Sequence, residues 1–429
     1  MKKHLKKAYL LLALLLTLAS CGEDRTHEYL EQTEENQWIY ETMKEVYLWK
    51  ENIKKPGHSQ FFTPSSKFFT SLLYSDDKAS FFTDTVSSGD YGMTFTLMRD
   101  PIAQRPSRVY ALVLFAEPNS PAAKAGIGRG TWISEVGNKK LTMSNGNLLL
   151  SGAGTDIVTE YIDYDDEAGE YFWEIDDTIT IAAAANYGKC DILMDSIYTV
   201  RDRNVGYIVI NNFGNESFID KCDMILERFI AENTTDVIVD LRYCSGGSLE
   251  NAAALASSLV PASLAESPFA VLENSEGEID TTYNFTERPF NIGEKRIFFI
   301  TGQSTTGTAE LLVASVNLAH DTYDVMTLGD ATAGSNVVVE RIESPFGFVI
   351  NPSTAYACTA DGKRLGTEGI KPDYQISELA AIEHVYPLGN EQEQMLYNAM
   401  YLIANGTVPA GTQQRTHCIS IPPGTAFTR

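Results

Sequence analysis

Two short stretches hold the residues best placed for chemistry. One is Asp240-Leu241-Arg242-Tyr243-Cys244-Ser245-Gly246-Gly247, where an apolar run passes into a glycine pair. The other is Ile300-Thr301-Gly302-Gln303-Ser304-Thr305-Thr306-Gly307-Thr308-Ala309-Glu310-Leu311, an apolar run, a loop of small polar residues and the start of a helical pattern. If both runs are strands, the two stretches lie where open α/β sheets bind ligands, beyond the carboxyl ends of the strands. Glycines let a backbone amide approach a ligand closely. A helix N-terminus presents unpaired amides and favours negative charge, including a developing oxyanion. The chemistry implied is stabilisation of negative charge developing on an oxygen.

The surrounding pattern supplies such a sheet. Apolar runs at Tyr207–Asn211, Asp236–Leu241 and Ile297–Thr301 have the length of buried strands. Between and after them lie helical stretches. The first carries a stripe of Ile219, Cys222, Leu226, Phe229 and Ile230, the second runs from Ala252 to Leu259 and stops at Pro261, and the third covers Ala309–Ala319. Alternation of this kind predicts a largely parallel sheet with helices on its faces. Residues 380–405 also read as helical, and the end beyond Gly406 as loose. Ahead of the sheet, residues 91–190 carry short alternating strands such as Met93–Leu97 and Val109–Val113. Among these, Ser120-Pro121-Ala122-Ala123-Lys124-Ala125-Gly126-Ile127 reads as a short helix, with Pro121 in its first turn and Gly126 at its C-cap. A strand from Gly130 to Val136 follows. Earlier still, Ile39, Met43, Val46 and Tyr47 form one helical stripe, and a second helix is expected over Ser66–Tyr74.

Composition narrows the function classes. The chain has 429 residues, 44% hydrophobic and 21% charged, which fits a soluble multidomain protein and excludes a disordered chain or a polytopic membrane protein. Acidic residues outnumber basic ones 57 to 33, a formal charge of −24, so phosphate backbones are repelled and nucleic acid is not an expected partner. Lys2, Lys3, Lys6 and Lys7 precede the apolar run Ala8–Ala19, which is too short to span a bilayer and reads as a signal peptide over residues 1–20. The ending Leu18-Ala19-Ser20-Cys21 resembles a bacterial lipobox, which implies lipidation of Cys21 and anchoring of the protein in the outer membrane of the cell envelope. Gly22-Glu23-Asp24 resembles the acidic export signals of surface lipoproteins, so surface exposure is expected. Residues 21–36 read as a tether. Cys190, Cys222, Cys244, Cys358 and Cys418 are widely spaced with no C-x-x-C pair, so buried thiols are expected, with room for one disulfide and with neither a metal site nor a cofactor.

The segment Ser120–Ile127 with Arg129-Gly130 resembles a PDZ domain, and the likeness covers roughly residues 88–195. By that resemblance, Tyr91, Gly92, Met93 and Thr94 form the loop that captures a peptide's terminal carboxylate, the peptide adding as a strand. The two chemistry-bearing stretches, Tyr47-Leu48-Trp49 and Gly369-Ile370-Lys371-Pro372-Asp373 together resemble the tail-specific, or carboxyl-terminal processing, serine peptidases. The resemblance implies an α+β multidomain fold. Its parts are a signal peptide (1–20), a tether (21–36), an N-terminal helical segment (37–87), a PDZ-like β domain (88–195), a ClpP/crotonase-like α/β peptidase core (200–380) and a C-terminal helix and tail (381–429). Peptides or protein C-termini are the partners it implies.

Members of that family use a serine nucleophile and a lysine base, with an oxyanion hole made by a glycine-turn amide and the amide after the nucleophile. Matched to the family's T-A-S-A-S-E loop, this chain reads T-T-G-T-A-E, which puts Gly307 at the nucleophile position. Matched to T-x-G-K-N, Thr332-Ala333-Gly334-Ser335-Asn336 puts Ser335 at the base position. The family's asparagine is Cys244. Gly246 and Thr308 keep the oxyanion-hole amides, and Arg242 and Glu310 persist. Two readings follow, with a structural partner of another envelope protein as a third. In one, the chain is a pseudopeptidase that binds peptides or C-termini. In the other, it is an active serine endopeptidase with a displaced nucleophile, Ser304 or Ser335, and His320 as a base for Ser304. Thr305, Thr306, Thr308 and Cys244 are weaker nucleophile candidates.

Overall fold

In the computed structural model, the described residues are 26–84, 89–214, 216–320 and 324–410. The expected signal peptide, the lipidated Cys21 and Cys418 lie outside them. The chain divides into two compact units.

The first unit joins residues 26–84 to the late segment 339–354. Helix α1 (Thr26–Val46) buries Ile39 and Met43, which with Tyr47 just beyond it pack against Phe68 and Phe69 of α2 (Ser65–Leu72) and against Phe348 and Ile350. The helix takes in residues 26–36 of the expected tether. Asn36 is fully buried and donates its side-chain amide to the carbonyls of Phe61 (2.9 Å) and Thr63 (2.7 Å), which a solvated linker could not do. Strands Phe81–Asp84, Phe348–Asn351 and Ile342–Glu343 form a small antiparallel sheet in that order. Part of the expected 200–380 core therefore belongs with the N-terminal helices.

The second unit carries two large sheets. A β-rich part holds strands β1 (Met93–Arg99), β2 (Val109–Ala116), β3 (Trp132–Val136), β4 (Thr155–Asp165) and β5 (Glu170–Ile181), antiparallel and in that spatial order. Between β2 and β3 lies the one-turn helix α3 (Pro121–Lys124). Its N-cap Ser120 accepts the Ala123 amide at 3.1 Å and Pro121 fills the first turn, as the sequence predicts.

The rest is the expected α/β sheet. Strands β6 (Ile192–Val200), β7 (Arg203–Ile210), β8 (Asp236–Asp240), β11 (Arg296–Thr301), β12 (Val325–Gly329) and β15 (Tyr374–Gln375) lie in the order β15-β12-β11-β8-β7-β6. All neighbours are parallel except β6 with β7. Alternate residues serve opposite faces. Val237, Val239, Ile297 and Phe299 pack under helices α4 (Phe218–Ala231), α5 (Leu249–Leu259) and α6 (Thr308–Ala319), while Tyr207, Ile238, Phe298 and Ile300 pack under α7 (Gln394–Asn405). Burial on both faces is why these strands read as continuous apolar runs. A smaller sheet of β9 (Pro268–Glu273), β10 (Ile279–Asn284), β13 (Val337–Val339) and β14 (Ser353–Thr359) completes the unit, in the order β10-β9-β14-β13.

The C-terminal helix is shorter than the sequence suggests. It starts at Gln394, because Glu393 is its N-cap and accepts the Met395 and Leu396 amides at 3.2 and 3.0 Å. Residues 380–393 are turns. Leu379, Ile382 and Val385 have helical spacing but pack as a loop onto Tyr110 and Trp132 of the β-rich part.

Glu393 also closes a buried ion network under β8. The fully enclosed Arg242 reaches Asp240 (2.6 Å), Glu393 (2.7 Å) and Glu378 (3.2 Å). Arg129, from the β-rich part, reaches Glu393 (2.9 Å), Glu378 (2.7 Å) and the Tyr243 hydroxyl (2.6 Å). The strand end that leads to the glycine pair is thereby tied to α7 and to the β-rich part. Burial pushes the Glu393 carboxyl up, but the two guanidiniums more than offset this and hold it at about 2, against an ordinary 4.5. Its contribution to stability is therefore complete above pH 4.5 and is lost as pH falls toward 2. Glu393→Ala is expected to lower unfolding free energy in urea by about 3–5 kcal/mol, because it leaves buried arginines short of a partner. Glu393→Gln should flatten the acid limb of the stability curve. An unchanged denaturation midpoint in both variants would contradict the assignment.

Candidate functional site

The two glycine-bearing turns meet at the carboxyl ends of β8 and β11. The Thr306 amide donates to the Cys244 carbonyl (3.1 Å), the Thr308 hydroxyl to the Gly247 carbonyl (2.9 Å) and the buried Thr305 hydroxyl to the Leu241 carbonyl (2.7 Å). A side chain built on Gly246 would stand 3.4 Å from the Thr308 nitrogen, so the two expected oxyanion-hole amides belong to one small region. Thr308 is the first residue of α6, and its N–H has no acceptor among the described residues. The Gly246 N–H is turned toward the Cys244 thiol, where its hydrogen bond opposes the effect of burial.

Gly307 sits on the turn from β11 into α6 with φ 58° and ψ −118°. That conformation is strained for any residue with a side chain. It belongs to the sharp strand-to-helix turn on which other hydrolase folds expose a nucleophile. A Cβ built at Gly307 would meet nothing within 4 Å. The turn is open and strained, and Gly307 places no side chain on it.

Glu310 organises this arrangement. It is 1% exposed, and its carboxylate accepts the Gly307 amide (3.0 Å), the Gly334 amide (2.8 Å), the Ser335 amide (2.8 Å) and the Thr332 hydroxyl. Burial pushes its pKa up, and these four hydrogen bonds push the other way. One side chain thus fixes the Gly307 turn against the Gly334–Ser335 turn. There the Ser335 hydroxyl faces the Val337 carbonyl at 3.4 Å.

The other expected residues are dispersed. Ser304 is half-buried in the loop, while His320 caps the opposite end of α6, about 18 Å away along the helix. The imidazole Nε2 of His320 contacts the Leu259 carbonyl at 2.8 Å, so no Ser304–His320 pair forms. Cys244 is fully buried and its thiol is pushed up to about 12, chiefly by burial, which makes it inert at neutral pH. Cys190, Cys222, Cys244 and Cys358 are all unpaired, so none of the described thiols forms the disulfide for which the sequence left room. Among the described residues no His, Cys, Asp or Glu cluster is arranged to hold a metal ion.

In the β-rich part, Tyr91 and Gly92 precede β1, while Met93 and Thr94 are its first residues and pair with Ala116 and Phe115. Gly92 has φ +77° and packs so closely that a Cβ would overlap Ser120. Its carbonyl accepts the Glu117 amide (2.7 Å), and the Glu117 carboxylate accepts the Asn211 side-chain amide (2.9 Å) and the Cys190 amide (3.0 Å). The Asn211 carbonyl in turn accepts the Ser245 amide (3.1 Å), next to the glycine pair. The sequence reading gave no site role to Glu117, Asn211, Arg129, Glu378 or Glu393. Of these, only Glu393 left a local signal, as an acid immediately before an apolar helical run and just after Pro387 and Gly389.

Removing the Glu310 carboxylate should release both turns. Glu310→Ala is expected to cost about 3 kcal/mol in unfolding free energy by stranding buried amides. A loss below about 0.5 kcal/mol would show that the clamp is not needed.

Comparison with known proteins agrees with this geometry. A family model described as peptidase family S41 matches residues 204–376, which contain both turns, and one described as the peptidase S41 N-terminal domain matches residues 34–87. The chain is 24% identical over 304 residues to the carboxy-terminal processing protease CtpA of Bacillus subtilis (strain 168), an alignment covering 69% of this chain and 60% of that protein. The chain therefore matches less than two thirds of that relative's length. A solved S41 protease structure from Bacteroides fragilis NCTC 9343 superposes with a TM-score of 0.75 at 23% identity, covering 86% of this chain and 97% of that one. A photosystem II D1 C-terminal processing protease superposes with a TM-score of 0.53 at 14% identity, covering 88% and 98%. These two likenesses establish a shared fold. With the family matches lying over the residues that build the site, this chain belongs to peptidase family S41.

Proposed function

We propose that this chain is a lipid-anchored pseudopeptidase of the cell envelope that binds peptides or protein C-termini without cleaving them efficiently. The observation that carries the reading is Gly307, a glycine on a strained, open turn where the family places its serine. Ser335 at the base position supports it, since a hydroxyl facing a carbonyl cannot take a proton as a neutral lysine does. In a serine protease, losing catalytic groups that act as a unit costs about a millionfold in rate. The Thr308 amide leaves a donor for a peptide carbonyl beside the Gly246 turn, whose own N–H is turned to the Cys244 thiol.

Terminal recognition is assigned to the β-rich part, read as PDZ-like, with Tyr91, Gly92, Met93 and Thr94 as its carboxylate loop. The positive φ of Gly92 suits a backbone that turns its amides toward an anion. The printed names of the relatives, carboxy-terminal processing proteases, support protein C-termini as the ligand class. Anchoring through Cys21 in the outer membrane, with surface exposure, rests on the lipobox-like leader and Gly22-Glu23-Asp24. A displaced nucleophile is disfavoured because Ser304 lies far from His320, while the Ser335 hydroxyl faces the Val337 carbonyl and the neighbouring Glu310 carboxylate is engaged by three amides and the Thr332 hydroxyl.

A serine-reactive phosphonate probe followed by peptide mapping is expected to label no hydroxyl in the folded protein. Labelling at Ser304 or Ser335 would overturn the reading in favour of an active endopeptidase. On a peptide array, ligands with a free C-terminus should bind about tenfold more tightly than their amidated forms, in keeping with a lost charge-assisted contact. Equal binding would remove the terminal-recognition claim.

A further inference from the structure

The hairpin of β4 and β5 reaches beyond the sheet that carries it. Its neighbour β3 pairs with β4 only over Ile157–Glu160, so from Tyr161 outward the hairpin is a two-stranded ribbon. One face of the ribbon is occupied. Ile162 and Trp173 pack with Tyr110, Trp132 and Ile382. The free edge of β5 is also engaged at Trp173, whose amide and carbonyl meet the side chains of Gln104 (3.2 Å) and Arg105 (3.4 Å). Strand addition along that edge is thus interrupted.

The opposite face is bare. Its cross-strand pairs are Tyr161 with Glu174, Asp163 with Phe172, and Asp165 with Glu170. Tyr161 is 39% exposed, Phe172 is half-buried, and the four acids are exposed. Directly opposed like charges such as Asp165 and Glu170 destabilise a sheet. The whole hairpin, residues 155–181, contains no Lys, Arg or His to offset them. Its ion pairs are confined to the base, where Glu160 meets Arg105 and Arg108. The Tyr161 hydroxyl donates to Glu174, and Asp165 accepts the turn amides of Glu167 (2.8 Å) and Ala168 (3.0 Å), but none of the four acids meets a cation among the described residues, so the face alternates rings and charge-uncompensated carboxylates along a two-residue repeat of about 6.8 Å.

We infer that this face docks an extended segment of a partner protein carrying arginine or lysine at alternate positions. Each cation would stack on Tyr161 or Phe172 while bonding a flanking carboxylate. A second copy of this chain does not fit, because the molecule carries a formal charge of −24 and the hairpin itself is acidic. Anionic lipid and nucleic acid are repelled for the same reason. This surface is independent of the peptide cleft, and its failure would leave the reading of the cleft untouched.

The test uses the whole protein and an alternating Arg–Gly decapeptide, with the Glu–Gly counterpart as control, in a calorimetric titration at moderate salt. Saturable binding of the Arg–Gly peptide alone is expected. Asp163→Asn/Asp165→Asn/Glu170→Gln/Glu174→Gln should weaken it about tenfold. Tyr161→Ala/Phe172→Ala, which keeps every charge, should weaken it about fivefold. Neutralising four exposed acids elsewhere, Asp202, Glu276, Glu278 and Asp280, should change it by less than about twofold. No binding, equal loss in the remote variant, or unchanged binding in the ring variant would each overturn the proposal. Circular dichroism on each variant checks the fold, and the ring and charge variants give separate routes to the same answer.

Discussion

A carboxylate removed from water must be met by donors on every side, and at Glu310 those donors come from the two turns that would have to act together in catalysis. The Gly307 amide belongs to the turn into α6, and the Gly334 and Ser335 amides with the Thr332 hydroxyl belong to the loop after β12. Neither turn can shift without stranding a buried charge. The spacing between the two positions is therefore set by this one side chain and does not depend on what either position carries. The geometry thus stands with a glycine at 307 and a serine at 335.

The buried arginines do the same service one layer below. Arg242 and Arg129 share Glu378 and Glu393, and Tyr243 joins them at its hydroxyl. The group draws on β8, the β-rich part, the 378–393 loop and the cap of α7. Such networks add little over a well-packed apolar core, but they are costly to break one partner at a time. A single geometry of the Asp240–Gly247 turn is the consequence. Through Glu117 and Asn211, that turn is also hydrogen-bonded to the carbonyl of Gly92, so the two regions assigned to ligand recognition share one polar connection.

Much of this was legible in residue order. The helix read at Ala309–Ala319 is α6, and the strands read at Asp236–Leu241 and Ile297–Thr301 are β8 and β11, because local periodicity and burial point the same way there. Gly307 and Ser335 could be flagged because each falls at a fixed offset within a short motif. The misreadings have one source. Leu379, Ile382 and Val385 sit at helical spacing, yet tertiary packing onto Trp132 and Tyr110 holds them as a loop. The start of α1 is polar on most sides and reads as linker until Asn36 is seen bonded to the carbonyls of Phe61 and Thr63. Arg129 and Glu393 lie 264 residues apart, a separation that no local pattern can bridge.

The central claim is that an intact hydrolase frame lacks only its attacking hydroxyl and the amine that would deprotonate it. The most direct measurement is proteolysis of an unstructured, quenched-fluorescent peptide by the purified chain and by Gly307→Ser/Ser335→Lys. A serine placed at Gly307 enters open space on a turn already held in the strained conformation. The expected result is turnover by the double variant at least about a thousandfold above a parent indistinguishable from background. Cleavage by the parent at the rate of its active relatives would contradict the account.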